Sequence, residues 1–294
     1  MNKEISIIIP VYKVTPDSFE LISLKQCLKI LNRYAITFVA SESLNTSYYE
    51  TLADQQIVKC KTEKFDDCFF SSIKGYNKLM LSQTFYSRFI QYQYILIYQL
   101  DCFVFRDELE YWCGLGYDYI GAPWIKLTKN NTPYLWAVGN GGLSLRKPAR
   151  LLQSLEMKKI RMNFKGCFMF YKLLQKGYGI VNYILWVARI AAMCFGYRNN
   201  KSYFISSSEM NEDIIFSFVL HYTKNPLKIP DYKIALKFSF DREPELLYEL
   251  NNFKLPFGCH DWYKYKGHLD FYRPFLISIG VSSTLLESQL ESSI

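Results

Sequence analysis

The hydrophobic pattern along the chain predicts strands that alternate with helices. The segment ISIIIPVY, residues 5–12, is apolar and β-branched and is typical of a buried strand that stops at Pro10. The same criteria predict further strands at 34–40, 94–100 and 117–124, and helices at 18–32 and 69–92. This alternation predicts an α/β domain whose central sheet is mostly parallel and flanked by helices.

Two groups of candidate site residues follow predicted strands directly. In YQLDCFVF, residues 98–105, the carboxylate of Asp101 comes at the end of an apolar strand. Pro10, Val11 and Tyr12 stand at the end of the first strand. Because ligands of open parallel sheets bind beyond the carboxyl ends of the strands, we expect both groups at a binding site.

The segment VGNGGLSLR, residues 138–146, contains three glycines and ends on a basic residue. Glycines permit a positive φ or the close approach of a ligand to the backbone, although a plain turn or bulge would need them too. The segment is not a dinucleotide-binding fingerprint, because its spacing differs and it does not follow the first strand.

The segment SSSEMNEDIIFSFVLHY, residues 206–222, is typical of a helix N-terminus. Ser206 and Glu209 have the spacing of a capping box, and Glu212 and Asp213 would lie near the first turn. The helix dipole stabilises acids there, which explains both of them as capping residues. It also keeps a carboxylate ionised, as a general base requires, and the spacing alone leaves both interpretations open.

The segment LPFGCHDWYKY, residues 255–265, places His260 and Asp261 in a loop after a Pro-Phe-Gly turn. The chain has only three histidines. A single histidine is compatible with a structural role or with metal binding, and the loop position favours neither.

Composition narrows the class of protein. The 294 residues suit one large domain, and the eight cysteines are scattered without the spacing of a zinc site. The first residues, MNKEISIIIPVYKV, read as a strand and lack the features of a signal peptide. We therefore expect reduced thiols and a cytoplasmic location.

The net charge of +8 is concentrated in one segment. Residues 157–208 contain nine Lys or Arg and no Asp or Glu, so the rest of the chain is nearly neutral. A nucleic-acid-binding protein would instead carry a basic face on a recognisable module, and we predict no nucleic-acid partner.

This basic insert contains an apolar helix over 180–197, with one stripe formed by Ile180, Ile184, Val187 and Ala191. The helix is too short to span a bilayer and has Arg189 in its middle. It would suit contact with an anionic membrane surface, or equally a helical hairpin packed on the domain.

Taken together, the motifs YILIYQLDCFVFRDELEYWCGLGYDYIGAPW, VGNGGLSLR, NEDIIFS and PFGCHDW resemble, in their order, a family of bacterial GT-A-like glycosyltransferases catalogued largely as a domain of unknown function. The resemblance covers roughly residues 70–265 apart from the insert, and SIIIPVY resembles the opening strand of many GT-A enzymes. It implies a GT-A-like (Rossmann-like) catalytic domain over residues 1–270, which includes the 157–208 insert, followed by a tail over 271–294.

The resemblance implies a nucleotide-sugar donor, a glycan or lipid-linked acceptor and a role in bacterial surface polysaccharide synthesis. GT-A enzymes hold Mn²⁺ or Mg²⁺ on the donor diphosphate with an Asp-x-Asp motif. Asp101 matches its first acid, but Phe103 occupies the place of the second. Either His260 completes the metal site, which we prefer, or Arg146 and Lys147 neutralise the diphosphate.

The GNGG and NED segments resemble those of inverting GT-A enzymes. By this match Asn140, Gly141 and Gly142 border the donor, and Glu212 and Asp213 form the acidic pair, with Asp213 as general base.

Two further positions are candidate ligand contacts. Asn77, before the central strand, would face the base or ribose, or alternatively lie on a helix surface. Trp124 would stack on a sugar ring or form the edge of the core. The alternative functions are a nucleotidyl or phosphosugar transferase and a non-catalytic sugar- or partner-binding module.

Overall fold

A computed structural model describes residues 5–127, 132–174, 180–207, 210–284 and 286. The strands are β1 (Ile5–Pro10), β2 (Ala35–Ser41), β3 (Cys60–Phe65), β4 (Tyr94–Tyr98), β5 (Phe103–Val104), β6 (Tyr119–Ile120), β7 (Pro123–Leu127), β8 (Pro133–Val138), β9 (Leu143–Arg146), β10 (Ser239–Phe240) and β11 (Gly258–Cys259). The helices are α1 (Ser18–Ile30), α2 (Ser47–Gln55), α3 (Ile73–Met80), α4 (Gln83–Arg88), α5 (Leu109–Gly114), α6 (Pro148–Glu156), α7 (Phe164–Leu174), α8 (Ile180–Cys194), α9 (Glu212–Ile214), α10 (Tyr232–Phe238), α11 (Pro244–Leu250) and α12 (Lys266–Ser278).

The central sheet has six strands in the order β3-β2-β1-β4-β9-β6. Strands β1 to β4 run parallel, and β9 is inserted antiparallel between β4 and β6. The predicted α/β class with a mostly parallel central sheet is therefore confirmed.

The central strands of this sheet, β1 and β4, are buried on both faces. Ile7 and Ile9 of β1 pack into one hydrophobic core, whereas Ile8 packs into the core on the other face. Because successive side chains of a strand point to opposite faces, an unbroken apolar run is what a central strand with helices on both sides requires.

Three predicted elements differ in detail. The helix expected at 69–92 is two helices, α3 and α4, because the Ser82 side chain accepts the N–H of Phe85 and starts a new helix. The strand expected at 117–124 is divided between β6 and β7. The helix expected from Ser206 starts at Glu212 after the N-cap residue Asn211, and Glu209 of the predicted capping box lies outside the described residues.

A three-stranded sheet, in the order β10-β11-β5, lies beside the main one. Strand β11 pairs parallel with β10 and antiparallel with β5. The side chains of this small sheet and of α12 form a third hydrophobic core. This core includes Phe103, Trp262 and Tyr272. The chain segments that leave β10 and β11 come close to the end of β4, and this meeting point creates the site described below.

The basic insert is helical where it is described. It contains α7, α8 and a π-helical turn at Ser202–Ser207. The side chains of Ile180 and Ile184 lie outside the described residues, and Val187 is exposed. Within the described ranges, no helix combines the length and the apolar character needed to cross a bilayer.

The expected boundary between domain and tail at residue 270 falls inside α12. Tyr272 and Leu276 of this helix are fully buried in the third core. The chain therefore remains part of the domain at least to the end of α12, and residues 287–294 lie outside the described residues.

Candidate functional site

A cleft of about 1250 Å³ lies at the carboxyl ends of β1 and β4. This is the edge at which an open parallel sheet binds ligands. Most of the predicted site residues line it, namely Pro10, Tyr12, Asn77, Asp101, Trp124, Asn140, Gly141, Gly142, Glu212, Asp213 and His260. The tertiary structure thus brings together residues that are as far apart in the sequence as Pro10 and His260.

Two predicted ligand contacts do not reach the cleft. Val11 is completely buried in the core, and its N–H bonds to the carbonyl of Val39. Arg146 is also completely buried. The prediction that these two side chains contact the donor is therefore not supported by the structure.

Arg146 instead uses all five of its N–H donors inside the protein. Nε donates to Ser144 Oγ (2.9 Å), Nη1 to Tyr86 Oη (3.0 Å) and Met80 Sδ (3.6 Å), and Nη2 to the Gly141 carbonyl (3.3 Å) and Glu212 Oε1 (2.9 Å). No donor remains for a phosphate. Lys147, the other candidate for neutralising a diphosphate, is bound to Asp118 (3.4 Å) and to the Gly116 carbonyl (2.8 Å).

The start of α9 is held by the predicted contact residue Asn77. The Asn77 side-chain amide donates to Asn211 Oδ1 (3.1 Å), and its oxygen accepts the N–H of Glu212 (3.4 Å). Asn77 therefore lines the cleft and also fixes the segment that carries Glu212 and Asp213.

Asp213 is a carboxyl group whose proton affinity suits acid–base chemistry near neutral pH. Its Oδ2 accepts the N–H of Asn140 (2.9 Å), and its Oδ1 accepts the N–H of Ile214 (2.8 Å). Burial, followed by the nearby charge of Glu212, raises the pKa of Asp213 to about 7. A general base is most effective when its pKa is near the working pH.

The glycines of residues 139–142 are required by the side chains packed against them. A Cβ on Gly139 would lie 2.0 Å from Trp124, one on Gly141 would lie 2.1 Å from Glu212, and one on Gly142 would lie 2.1 Å from His260. Asn140, between them, has a left-handed φ of 68°. The glycines thus allow the aromatic, acidic and imidazole groups to approach one short segment of backbone.

His260 lies between carboxylates on both of its nitrogens. Nε2 is 3.4 Å from Asp101 Oδ2, and Nδ1 is 3.0 Å from Asp241 Oδ1 and 3.6 Å from Asp261 Oδ2. Burial disfavours the imidazolium, but Asp101 and Asp241 outweigh it and raise the pKa of His260 well above its usual value.

Asp101 is buried and only partly satisfied. Its Oδ2 forms an ion pair with Lys264, and its Oδ1 has no hydrogen-bond partner among the described residues. Burial disfavours the charged carboxylate, but His260 and Lys264 outweigh it and hold the pKa of Asp101 well below its usual range. Asp101 is therefore an anionic group with one free oxygen at the base of the cleft.

Phe103 points into the third core. It lies on β5, fully buried, with its ring centroid 5.8 Å from that of Trp262 and 5.5 Å from that of Phe105. An acid at this position would be buried among aromatic rings, at a high cost in free energy. The apolar residue is thus explained by the small sheet.

Comparison with known families identifies the chain. Residues 59–260 match the model of the family described as "Protein of unknown function (DUF5672)". The chain belongs to this family. No curated protein sequence matches this DUF5672 member.

Several solved structures are similar to this DUF5672 member at low sequence identity. Core-mannan synthase A (CmsA/Ktr4) from Aspergillus fumigatus, in its Mn/GDP form, has a TM-score of 0.43 at 11% identity and covers 77% of this chain and 72% of its own. Mouse xyloside xylosyltransferase 1, in its apo form, has a TM-score of 0.46 at 10% identity and covers 87% of this chain and 96% of its own. Galactosyltransferase LgtC, in complex with donor and acceptor sugar analogues, has a TM-score of 0.43 at 11% identity and covers 91% of this chain and 94% of its own.

Gln99, Asp241, Asp261 and Lys264 of this family member also line the cleft beside His260, although none of them was among the predicted site residues. Gln99 Oε1 lies 3.3 Å from His260 Nε2. Asp261 and Lys264 stand within four residues of His260, so their charges in the HDWYK segment were a usable signal. Asp241 follows a strand of only two residues, which no periodicity reveals.

Two groups of side chains in the described ranges have the proximity that a metal site needs, and both include His260. One adds Asp101 and Cys102, and the other adds Asp241 and Asp261. Burial raises the pKa of the Cys102 thiol well above its usual value, which makes it a poor ligand. The carboxylate of Asp101, whose Oδ2 lies 3.4 Å from His260 Nε2 and whose Oδ1 is unpartnered among the described residues, fits a divalent cation such as Mn²⁺ or Mg²⁺.

Proposed function

We propose that this protein is a GT-A-like, nucleotide-sugar-dependent glycosyltransferase that inverts the anomeric centre. One observation carries the proposal: residues 139–142 bring an aromatic side chain, a candidate base and a candidate metal-binding histidine to one short segment of backbone. Gly139 contacts Trp124, Asn140 binds Asp213, and Gly142 contacts His260, which lies next to Asp101. A candidate base thus stands between an aromatic wall and the candidate cation site at Asp101 and His260.

The end of β1 is the proposed nucleotide subsite. Tyr12 is 46% exposed, and its ring centroid lies 5.8 Å from that of Phe70 and 6.2 Å from that of Tyr76. An exposed ring supported by others offers a face on which a nucleobase can stack. Pro10 and Asn77 border the same part of the cleft.

The diphosphate of the donor needs a cation in this cleft. Among the described lining residues, seven are Asp or Glu and four are Lys or Arg, so the cleft repels a diphosphate anion. Asp101 and His260 Nε2, with the imidazole in its neutral form, would hold Mn²⁺ or Mg²⁺, and Asp241 would accept from Nδ1 and fix the ring. When bound, the metal ion would neutralise the leaving diphosphate.

Asp213 is the proposed general base, and Glu212 beside it is held away from the chemistry by Arg146. Asp213 takes the proton of an acceptor hydroxyl while that oxygen forms a bond to the anomeric carbon. The bond from the same carbon to the diphosphate breaks on the opposite face, and its electron pair leaves with the diphosphate. The product therefore has inverted configuration.

Replacement of the base tests this reaction. We expect Asp213→Asn to leave the binding of a nucleotide sugar intact and to lower transfer about 10²- to 10⁴-fold, because only proton removal is lost. The measurement is a thermal-shift screen of nucleotide sugars with and without Mn²⁺, followed by product analysis with the donor that binds. Asp270→Asn, on the exposed face of α12, is the matched control.

The outcome also separates the alternatives. Near-normal transfer by Asp213→Asn would contradict the assignment of the base. A protein that responds to no nucleotide sugar would be a sugar- or partner-binding module instead. Cleavage between the two phosphates would identify a nucleotidyl or phosphosugar transferase.

We further propose that the acceptor is a glycan or a lipid-linked sugar of bacterial surface polysaccharide, reached at the cytoplasmic face of the membrane. The support is the basic insert, which exposes apolar rings beside its cations, with Phe195 at 89% and Phe164 at 70% exposure. Cations and aromatic side chains together favour an anionic lipid surface.

Flotation tests the membrane contact. We expect the full chain to float with vesicles that contain anionic phosphatidylglycerol, and the bound fraction to fall as salt screens the attraction. Vesicles of neutral phosphatidylcholine are the control. Equal recovery with both lipids, or none at low salt, would contradict the proposed contact.

A further inference from the structure

Lys264 occupies the same oxygen of Asp101 that the proposed metal site would use. Its ammonium forms an ion pair with Asp101 Oδ2, and this oxygen lies 3.4 Å from His260 Nε2. A second contact joins Lys264 Nζ to Asp261 Oδ1 at 3.1 Å. A cation that bridges Asp101 and His260 therefore meets a positive charge already in place.

The backbone that carries Lys264 is firmly held. Trp262, two residues earlier, is fully buried and donates its indole N–H to Ser23 Oγ (2.8 Å). The ring of Tyr263 stacks on that of Phe19, with 4.8 Å between centroids. The position of Lys264 along the cleft wall is thus determined by packing.

The side chain of Lys264, by contrast, is free to move. Half of its surface is exposed (50%), whereas the side chain of Asp101 is 6% exposed. A lysine holds its charge on a flexible four-carbon stem and forms no fixed fork of donors. The ammonium can therefore leave Asp101 while the backbone stays in place.

From this geometry we infer that Lys264 is a resident counter-ion which a divalent cation must displace from Asp101. The inference rests on the proposed function only for the identity of the cation site. Without another cation, Lys264 and His260 balance the buried charge of Asp101. The displaced ammonium stays at the cleft wall, near the group that a donor diphosphate would occupy.

This arrangement couples the cation to the diphosphate. A divalent ion that enters alone must overcome the ion pair and then lies next to a like charge. An ion that enters with a diphosphate avoids this repulsion, because the phosphate oxygens neutralise the displaced ammonium. Lys264 thus makes cation binding weak alone and strong with the donor.

Titration of the full chain with Mn²⁺ in the absence of nucleotide tests the inference. We expect Lys264→Met to bind Mn²⁺ about tenfold more tightly than the unaltered protein, since a competing like charge is removed. Electron paramagnetic resonance of free Mn²⁺ gives the affinity. Adding GDP or UDP should tighten Mn²⁺ binding more in the unaltered protein than in Lys264→Met.

Lys13→Met is the matched control. Lys13 also lines the cleft, but its ammonium is bound by Asp17 and Glu20, each at 3.0 Å. Its replacement should leave Mn²⁺ affinity unchanged, and melting temperatures confirm that both variants are folded. Equal or weaker Mn²⁺ binding by folded Lys264→Met would overturn the inference, as would no binding by either protein.

Because this titration contains no sugar, its result is independent of glycosyl transfer. A protein that shows the Mn²⁺ effect but transfers no sugar would refute the proposed function and leave the role of Lys264 intact.

Discussion

Two of the acidic residues in the cleft, Glu212 and Asp101, pair with a basic side chain, and these two basic side chains are held in different ways. On one side, Arg146 binds Glu212 with both side chains almost completely buried, at 0% and 4% exposure. On the other side, Lys264 binds the buried Asp101 from a position that is half exposed. Burial and the number of bonds decide whether a counter-ion is a permanent part of the protein or can be exchanged.

The chemistry of the two cations follows this division. The guanidinium of Arg146 satisfies its five donors within the core and is locked by them. The ammonium of Lys264 is a compact charge on a flexible stem. The protein thus places its rigid ion pair beside the proposed base and its displaceable ion pair at the proposed cation site.

Stability measurements should separate the two pairs most clearly. Arg146→Met leaves Glu212 buried without a partner, and we expect it to lower the free energy of unfolding by about 3–5 kcal/mol. For Lys264→Met we expect a change within about 1 kcal/mol, because solvent screens a half-exposed pair. Urea unfolding followed by circular dichroism provides both values.

The double variant Arg146→Met with Glu212→Gln serves as the control for the buried pair. It should recover part of the lost stability, since no uncompensated charge remains. Similar losses for Arg146→Met and Lys264→Met would show that the two pairs do not differ as described.

The pH dependence of glycosyl transfer should show a smaller effect than the stability measurements, and this effect involves Glu212 of the rigid Arg146–Glu212 pair. With a pKa of about 7, Asp213 is deprotonated above neutral pH, so we expect transfer to rise with pH and to reach half of its maximum near pH 7. Glu212→Gln removes a repelling charge, and the midpoint should then move to lower pH. A midpoint unaffected by Glu212→Gln would contradict this coupling.

The contribution of Asp213 to the free energy of unfolding should change with pH in the opposite direction to transfer: it should fall as the pH rises. Its pKa in the folded protein is about 7, above the value of about 4 for an unfolded chain, so the folded state binds the proton more tightly. This contribution is complete below the unfolded pKa and is lost as pH rises through 7. Urea unfolding between pH 4 and 8 measures this pH-dependent part of the free energy of unfolding, and we expect Asp213→Asn to lack it.

Much of the main sheet follows from local sequence patterns. Strands β1, β2 and β4 and helix α1 were predicted close to their observed bounds, because apolar runs and helical spacing reflect burial along a single element. The break between α3 and α4 depends on a hydrogen bond from the N–H of Phe85 to the side chain of one serine, Ser82. Strands β10 and β11 have two residues each and are defined only by their partners, so no periodicity could reveal them.

The candidate site divides in the same way. The ordered motifs were enough to predict that Asp101, Asp213, His260 and the glycine segment belong to one site. They did not predict Asp241 or the ion pair of Lys264, which depend on the small sheet. For Arg146 they suggested a phosphate contact, whereas the fold places this side chain in the core.

The sequence by itself determined the alternation of strands and helices, the acid at the end of β4 and the glycines at 139–142, because each is a property of neighbouring residues. Only the tertiary structure decided which charges meet. Distant segments bring Asp101, Asp241, His260 and Lys264 together, and packing sets how deeply each is buried. Since the strength of an ion pair depends on burial and on its other partners, the difference between Arg146 and Lys264 arises from the fold.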